Sequence, residues 1–120
     1  MTLNIGNLQA AIEEAWARET SADSENWNEQ NPAWGQCAVT ALAIQDKLGG
    51  ELLRTTVGQI SHYFNRLPDG RELDLTRKQF GSGARLGEVA VRQREYVLSF
   101  PDTRRRYELL KQRLTNALNH

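Results

Sequence analysis

The chain holds a single cysteine, Cys37, and one histidine besides the last residue, namely His62. Asp74 follows on the next strand-like stretch. A nucleophilic cysteine reacts as its thiolate, which a helix N-terminus and a neighbouring histidine both favour. A carboxylate behind the imidazole orients the ring and stabilises its protonated form. Cys37, His62 and Asp74 thus have the types needed for acyl transfer, as nucleophile, base and orienting acid. Such a site also needs donors for an oxyanion. The amide of Cys37 is one, and the side chains of Asn31 and Gln36 are further candidates; Trp34 is placed to wall a cleft.

Each residue also has a plainer use. Cys37 can be a small buried helix residue, since free cysteines are commonly inert. His62 can be a half-buried strand residue, and Asp74 can cap the turn at Thr76-Arg77. The catalytic reading rests on their coincidence: the only cysteine opens a helix, and the internal histidine shares a sheet face with an aspartate.

The elements that must position these side chains follow from the pattern. Leu8, Ala11, Ile12, Ala15 and Trp16 recur at helical spacing, predicting a helix over 8–18 capped by Asn7. Residues 20–30 are polar and aperiodic, a loop that Trp27 pins to the body. Pro32 and Gly35 punctuate the approach to Cys37. A central buried helix is expected over 36–48, stopped by Gly49-Gly50. The period then changes to two, predicting strands over 53–57, 60–67 and 71–75. Leu67-Pro68-Asp69-Gly70-Arg71 is a tight hairpin turn.

That turn sets the register. It places Arg66 opposite Glu72, Asn65 opposite Leu73 and Phe64 opposite Asp74. His62 is then the diagonal neighbour of Asp74 on one face, roughly 7–8 Å away along the backbone. Thr76 to Phe80 reads as a short helical turn. Residues 86–98 mix strand and helix signals. A final helix opens at Pro101 and buries Tyr107, Leu110, Leu114 and Leu118. Arg104, Arg105 and Arg106 in its first turn oppose the helix dipole. They call for acidic neighbours or an anionic partner.

The bulk properties narrow the classes. With 120 residues the chain suits one domain, 1–120, with its core at 31–115. Fifteen basic and fifteen acidic side chains cancel. This balance argues against a nucleic-acid or membrane partner held by charge. A lone cysteine fits a reducing, cytoplasmic setting. No leader is expected at the N-terminus, and no apolar run reaches the roughly 20 residues of a membrane span. One cysteine and one internal histidine are too few for a zinc site, so no metal or other cofactor is expected.

Trp34-Gly35-Gln36-Cys37-Ala38-Val39-Thr40, Leu48-Gly49-Gly50, Ser61-His62-Tyr63-Phe64-Asn65-Arg66-Leu67-Pro68-Asp69-Gly70, Leu73-Asp74-Leu75-Thr76 and Gln79-Phe80 resemble the YunG-like family of small bacterial proteins. More remotely, the order of Cys, His and Asp is similar to the papain-like cysteine hydrolases. That resemblance implies an α+β, papain-like (cysteine proteinase-like) minimal domain, its central helix packed on a small antiparallel sheet. It also implies a cysteine hydrolase or acyltransferase acting on an amide or thioester of a peptide, protein or small acyl substrate. Those enzymes commonly carry a glutamine six residues before the nucleophile; Asn31 stands there in this chain. The alternatives are a non-catalytic binding module on the same scaffold and a redox-sensing thiol.

Overall fold

The period-two stretches after Gly50 pair into one antiparallel sheet. Strands β1 (Glu51–Val57) and β2 (Ile60–Arg66) form its centre, β3 (Glu72–Leu73) joins the outer edge of β2, and β4 (Ala90–Arg92) joins β1. The computed structural model describes residues 4–119. The first three residues, read above for a leader, and His120 lie outside them.

The β2–β3 turn closes as its residues require. Leu67 N–H donates to Arg71 O at 2.7 Å, and Gly70 N–H donates to Leu67 O at 2.9 Å. Gly70 has φ 90°, a value that costs glycine little. Asn65 pairs with Leu73 and Arg66 with Glu72, the register expected from the turn. The third strand is shorter than the expected 71–75. It stops at Leu73, and β2 from Ile60 to Phe64 has no strand on its outer edge among the described residues.

Helix α1 (Ile5–Ala15) begins and ends three residues before the expected 8–18. Asn4, not Asn7, is its N-cap, accepting from Asn7 N–H at 2.7 Å. Its last expected residues leave the helix because Trp16 adopts an extended backbone and its indole N–H donates to Thr40 Oγ1 at 2.9 Å. Helix α2 (Cys37–Leu48) is capped by Gln36 and closed by Gly49. Its residues Val39 to Ile44 are all buried, so the middle of the helix is enclosed on every side. It packs on β2 and on α4 (Pro101–Leu118), and α1 also packs on α4. Leu8, Ile12, Leu42, Leu52 and Leu110 meet in this core with at most 1 % exposure. Each contributes about 2 kcal/mol of burial. Asn65 ties the sheet to α2, donating to Ala41 O at 2.9 Å.

Residues 86–98 resolve into β4 and a short helix α3 (Arg94–Leu98). The three consecutive arginines near the start of α4 find local partners. Arg105 and Arg106 pair with Asp102 at 2.6 and 2.8 Å, and Arg104 donates to Leu98 O at 3.3 Å. The chain is therefore an α+β fold with a small four-stranded antiparallel sheet.

Candidate active site

Residues 31–36 deliver Cys37 to the start of α2 through a loop of turns. Gly35 has φ 75°, and a Cβ there would lie 2.2 Å from Ser21 Oγ and 2.8 Å from Ala22 N. Only glycine lets the two loops approach this closely, with Ala22 N–H donating to Gly35 O at 2.8 Å. Cys37 then takes the first helical position, and α2 has no side-chain cap. The first amides of a helix have no partner inside it, so this end presents free N–H groups and the positive end of the dipole. The thiol is partly exposed and sits at the open edge of β2, 3.8 Å from Ser61 O.

The next residue along that edge is His62, fully buried. Phe64 stacks on its ring at 5.9 Å, and Phe80 meets it edge-on at 5.1 Å. Trp34 in turn packs edge-on against Phe80 at 6.4 Å. The ring Nε2–H donates to Asp74 Oδ2 at 2.7 Å. Asp74 can do this because β3 ends one residue earlier, which frees its backbone to turn in towards β2. With the proton on Nε2, a neutral imidazole carries its lone pair on Nδ1. Nδ1 is buried and has no regular hydrogen bond to protein.

Burial alone pushes the pKa of His62 down. The hydrogen bond to Asp74, the neighbouring Cys37 side chain and the charges of both outweigh burial and raise it to about 9. The thiol therefore acts on the ring by proximity, without an aligned bond. Long or poorly aligned contacts of this kind are common in unliganded catalytic pairs.

The structure thus brings Cys37, His62 and Asp74 together, with Trp34 reaching them through Phe80. It turns the two candidate amides elsewhere. Gln36 is fully buried, its Nε2 donating to Ala17 O at 2.9 Å and its Oε1 accepting from Thr20 Oγ1 at 2.8 Å. Asn31 Nδ2 donates to Gln79 O at 3.0 Å. Gln36 is thus occupied at both ends of its amide, while Asn31 is half-buried and uses one of its two Nδ2 hydrogens on Gln79.

Two residues at the site went unassigned in the sequence. Gln79 Oε1 accepts from Gly35 N–H at 3.0 Å, and its Nε2 is buried without a protein partner. Phe80 is the shared wall of His62 and Trp34. Both stand in the Gln79-Phe80 pair of the family resemblance, but a four-residue turn carries no periodicity that assigns their direction. Among the described residues no group of three or more His, Cys, Asp or Glu side chains is arranged to hold a metal ion. No helix among them is long and apolar enough to cross a membrane.

The family described as YunG protein matches residues 4–119. The chain is 31% identical over 114 residues to "Uncharacterized protein YunG" of Bacillus subtilis (strain 168), covering 94% of this chain and 93% of that relative. No solved structure matches the chain. The match spans both the Cys37 loop and the His62–Asp74 hairpin, and the chain belongs to the YunG family.

Proposed function

We propose that this chain is a small cysteine hydrolase or acyltransferase, papain-like in the order and roles of Cys37, His62 and Asp74. The observation that carries the reading is the 2.7 Å bond from His62 Nε2–H to Asp74. It fixes the tautomer in which Nδ1 is the proton acceptor left for the thiol. A histidine held at a pKa of about 9 is protonated at neutral pH, which suits a thiolate–imidazolium pair.

The chemistry follows. The Cys37 thiolate attacks the carbonyl carbon of an amide or thioester, forming the S–C bond. The oxyanion lies at the uncapped amides of α2, beginning with Cys37 itself. The C–N or C–S bond then breaks, and the proton on His62 Nδ1 goes to the departing amine or thiolate. In the second half, water or an acceptor nucleophile gives its proton to Nδ1 and attacks the acyl carbon. The S–C bond breaks, releasing the acid or the transferred product and restoring the ion pair. Asp74 holds the ring throughout. The substrate is a peptide, protein or small acyl compound, and a free thiol nucleophile suits a reducing compartment such as the cytoplasm.

The test is trapping of the acyl-enzyme with an activated thioester, followed by intact-mass and peptide mapping. The expected result is an acyl group on Cys37 that turns over. Its rate of formation should fall about 100-fold or more in His62→Ala. Absence of the adduct, or formation at the same rate without His62, contradicts the proposal.

A further inference from the structure

The sheet face that carries Ser61 runs from Cys37 along α2, where Asn65 donates to Ala41 O. Alternation places Ser61, Tyr63 and Asn65 of β2 on one face, and register places Arg54 beside Tyr63. On the other side Arg54 is paired with Ala90, and Arg92 lies on the same face opposite Leu52. Two guanidinium groups therefore stand on the face whose end is occupied by Cys37. Arg54 donates from Nε and Nη2 to Ser61 Oγ at 3.0 and 2.6 Å, and Ser61 O is the atom 3.8 Å from the thiol. Arg92 donates from Nη1 to Val91 O at 3.2 Å. Neither arginine pairs with a carboxylate among the described residues. Both are partly exposed, and Tyr96 beside them is 50% exposed.

Tyr63 stands directly opposite Arg54, and Arg92 is the diagonal neighbour of Arg54 on the other side. Burial raises the pKa of Tyr63 first. The charges of Tyr96 and Cys37 add to that rise, while those of Arg54 and Arg92 oppose it. The thiol, Tyr96 and the two arginines therefore all act on the Tyr63 hydroxyl.

We propose that Arg54 and Arg92 bind an anionic group, a carboxylate or a phosphate, on the substrate of the Cys37 site. Arginine suits this task because its planar fork meets such groups with two parallel hydrogen bonds. Tyr63 packs against the core and supplies a firm, amphipathic wall beside Arg54. The proposal rests on Cys37 being the nucleophile, and it restricts that reading to acyl compounds bearing negative charge near the reacting carbonyl.

The experiment compares matched alkylating reagents on the full chain. Iodoacetate is set against iodoacetamide, and 3-maleimidopropionate against N-ethylmaleimide, so that the negative charge falls at two distances from the sulfur. The anionic-to-neutral rate ratio should drop about tenfold for at least one pair in the Arg54→Gln/Arg92→Gln double variant. The Arg54→Lys/Arg92→Lys variant should retain most of the preference, and added salt should weaken it in the native chain. The neutral reagent in each pair controls for folding and for general thiol reactivity. Protection of Cys37 by succinate assigns a carboxylate site, and protection by inorganic phosphate assigns a phosphate site. Ratios unchanged within twofold for both pairs overturn the proposal, as does protection by neither anion. Failure of the underlying reading shows separately, as a neutral-reagent pH profile that His62→Ala leaves unmoved.

Discussion

Helix α2 has a polar network at each end, and the two are completed to different degrees. At the C-terminal end Arg94 pairs with Asp46 at 2.7 Å and donates to Tyr107 Oη at 2.7 Å and Gln45 Oε1 at 3.0 Å. Tyr107 Oη–H donates to Asp46 in turn. Burial and the Asp46 carboxylate push the Tyr107 hydroxyl up to about 12, so it stays a donor at any ordinary pH. Among the described residues no side-chain atom of this cluster is buried without a partner. At the N-terminal end His62 Nδ1, Asp74 Oδ1 and Gln79 Nε2 are all buried without a protein partner, and the helix has no side-chain cap. An unmet buried polar group costs about 1–3 kcal/mol. The closed network pins α4 and α3 to α2. The open one keeps hydrogen-bonding capacity for something that binds there.

Among the substitutions, breaking the closed network should cost the most stability. Arg94→Ala leaves Asp46 and Tyr107 facing each other without the cation, and should cost about 2 kcal/mol by urea denaturation. Iodoacetamide alkylation of Cys37 should stay unchanged in this variant. A loss of thiol reactivity there would show that the two ends are coupled and the contrast mistaken. Tyr107→Phe removes one hydroxyl from the same cluster and should cost about 1 kcal/mol.

The open network should respond in the opposite sense. Cys37→Ala should change stability by less than about 0.5 kcal/mol, because the thiol is partly exposed and its contact to Ser61 O is long, at 3.8 Å. A cost like that of Arg94→Ala would make Cys37 a structural residue. Asp74→Asn should lower the pKa of His62 from its value of about 9, since the hydrogen bond and charge of Asp74 are among the causes that raise it. Titration of the His62 ring by NMR reads this directly, and Cys37→Ala should lower it as well, by less.

A pH dependence of folding follows from the same histidine. His62 titrates near 6.5 when unfolded and about 9 when folded, so the folded state binds the proton more tightly. Its stabilising contribution is complete below 6.5 and is lost as pH rises through about 9. Urea midpoints of the native chain should fall over that window relative to those of His62→Gln. Parallel curves would show that the imidazolium contributes nothing to the fold.

How much of this could be read beforehand differs by element, for physical reasons. The hairpin register was legible because a two-sided turn signal, Pro68-Asp69-Gly70, fixes which residues face one another. The burial of α2 was legible because six consecutive residues are small or apolar. The limits of α1 were not, because Asn4 and Asn7 are equally good caps and the choice depends on which side chain reaches which amide. Strand β3 was overestimated because Asp74 leaves the ladder for a partner twelve residues earlier in the chain. Within 86–98, Ala90–Arg92 becomes strand by pairing with β1 and Arg94–Leu98 becomes helix, so the local signals were mixed and their division was set by a long-range event. In the site, the helix start at Cys37 was legible, but the expected pairing of Phe64 with Asp74 does not form, and Asp74 reaches His62 from beyond the end of β3. The fates of Asn31 and Gln36 were not legible, since their partners Gln79, Ala17 and Thr20 are brought to the loop by the fold alone.

The central claim is that His62 activates Cys37. The most direct measurement is the rate of Cys37 alkylation by iodoacetamide across pH, in the native chain and in His62→Ala. The account predicts that native alkylation persists at about pH 6 and steps again near pH 9 as the imidazolium loses its proton. In His62→Ala it should rise only through the ordinary thiol range around 8.5. Identical profiles for the two proteins would contradict it.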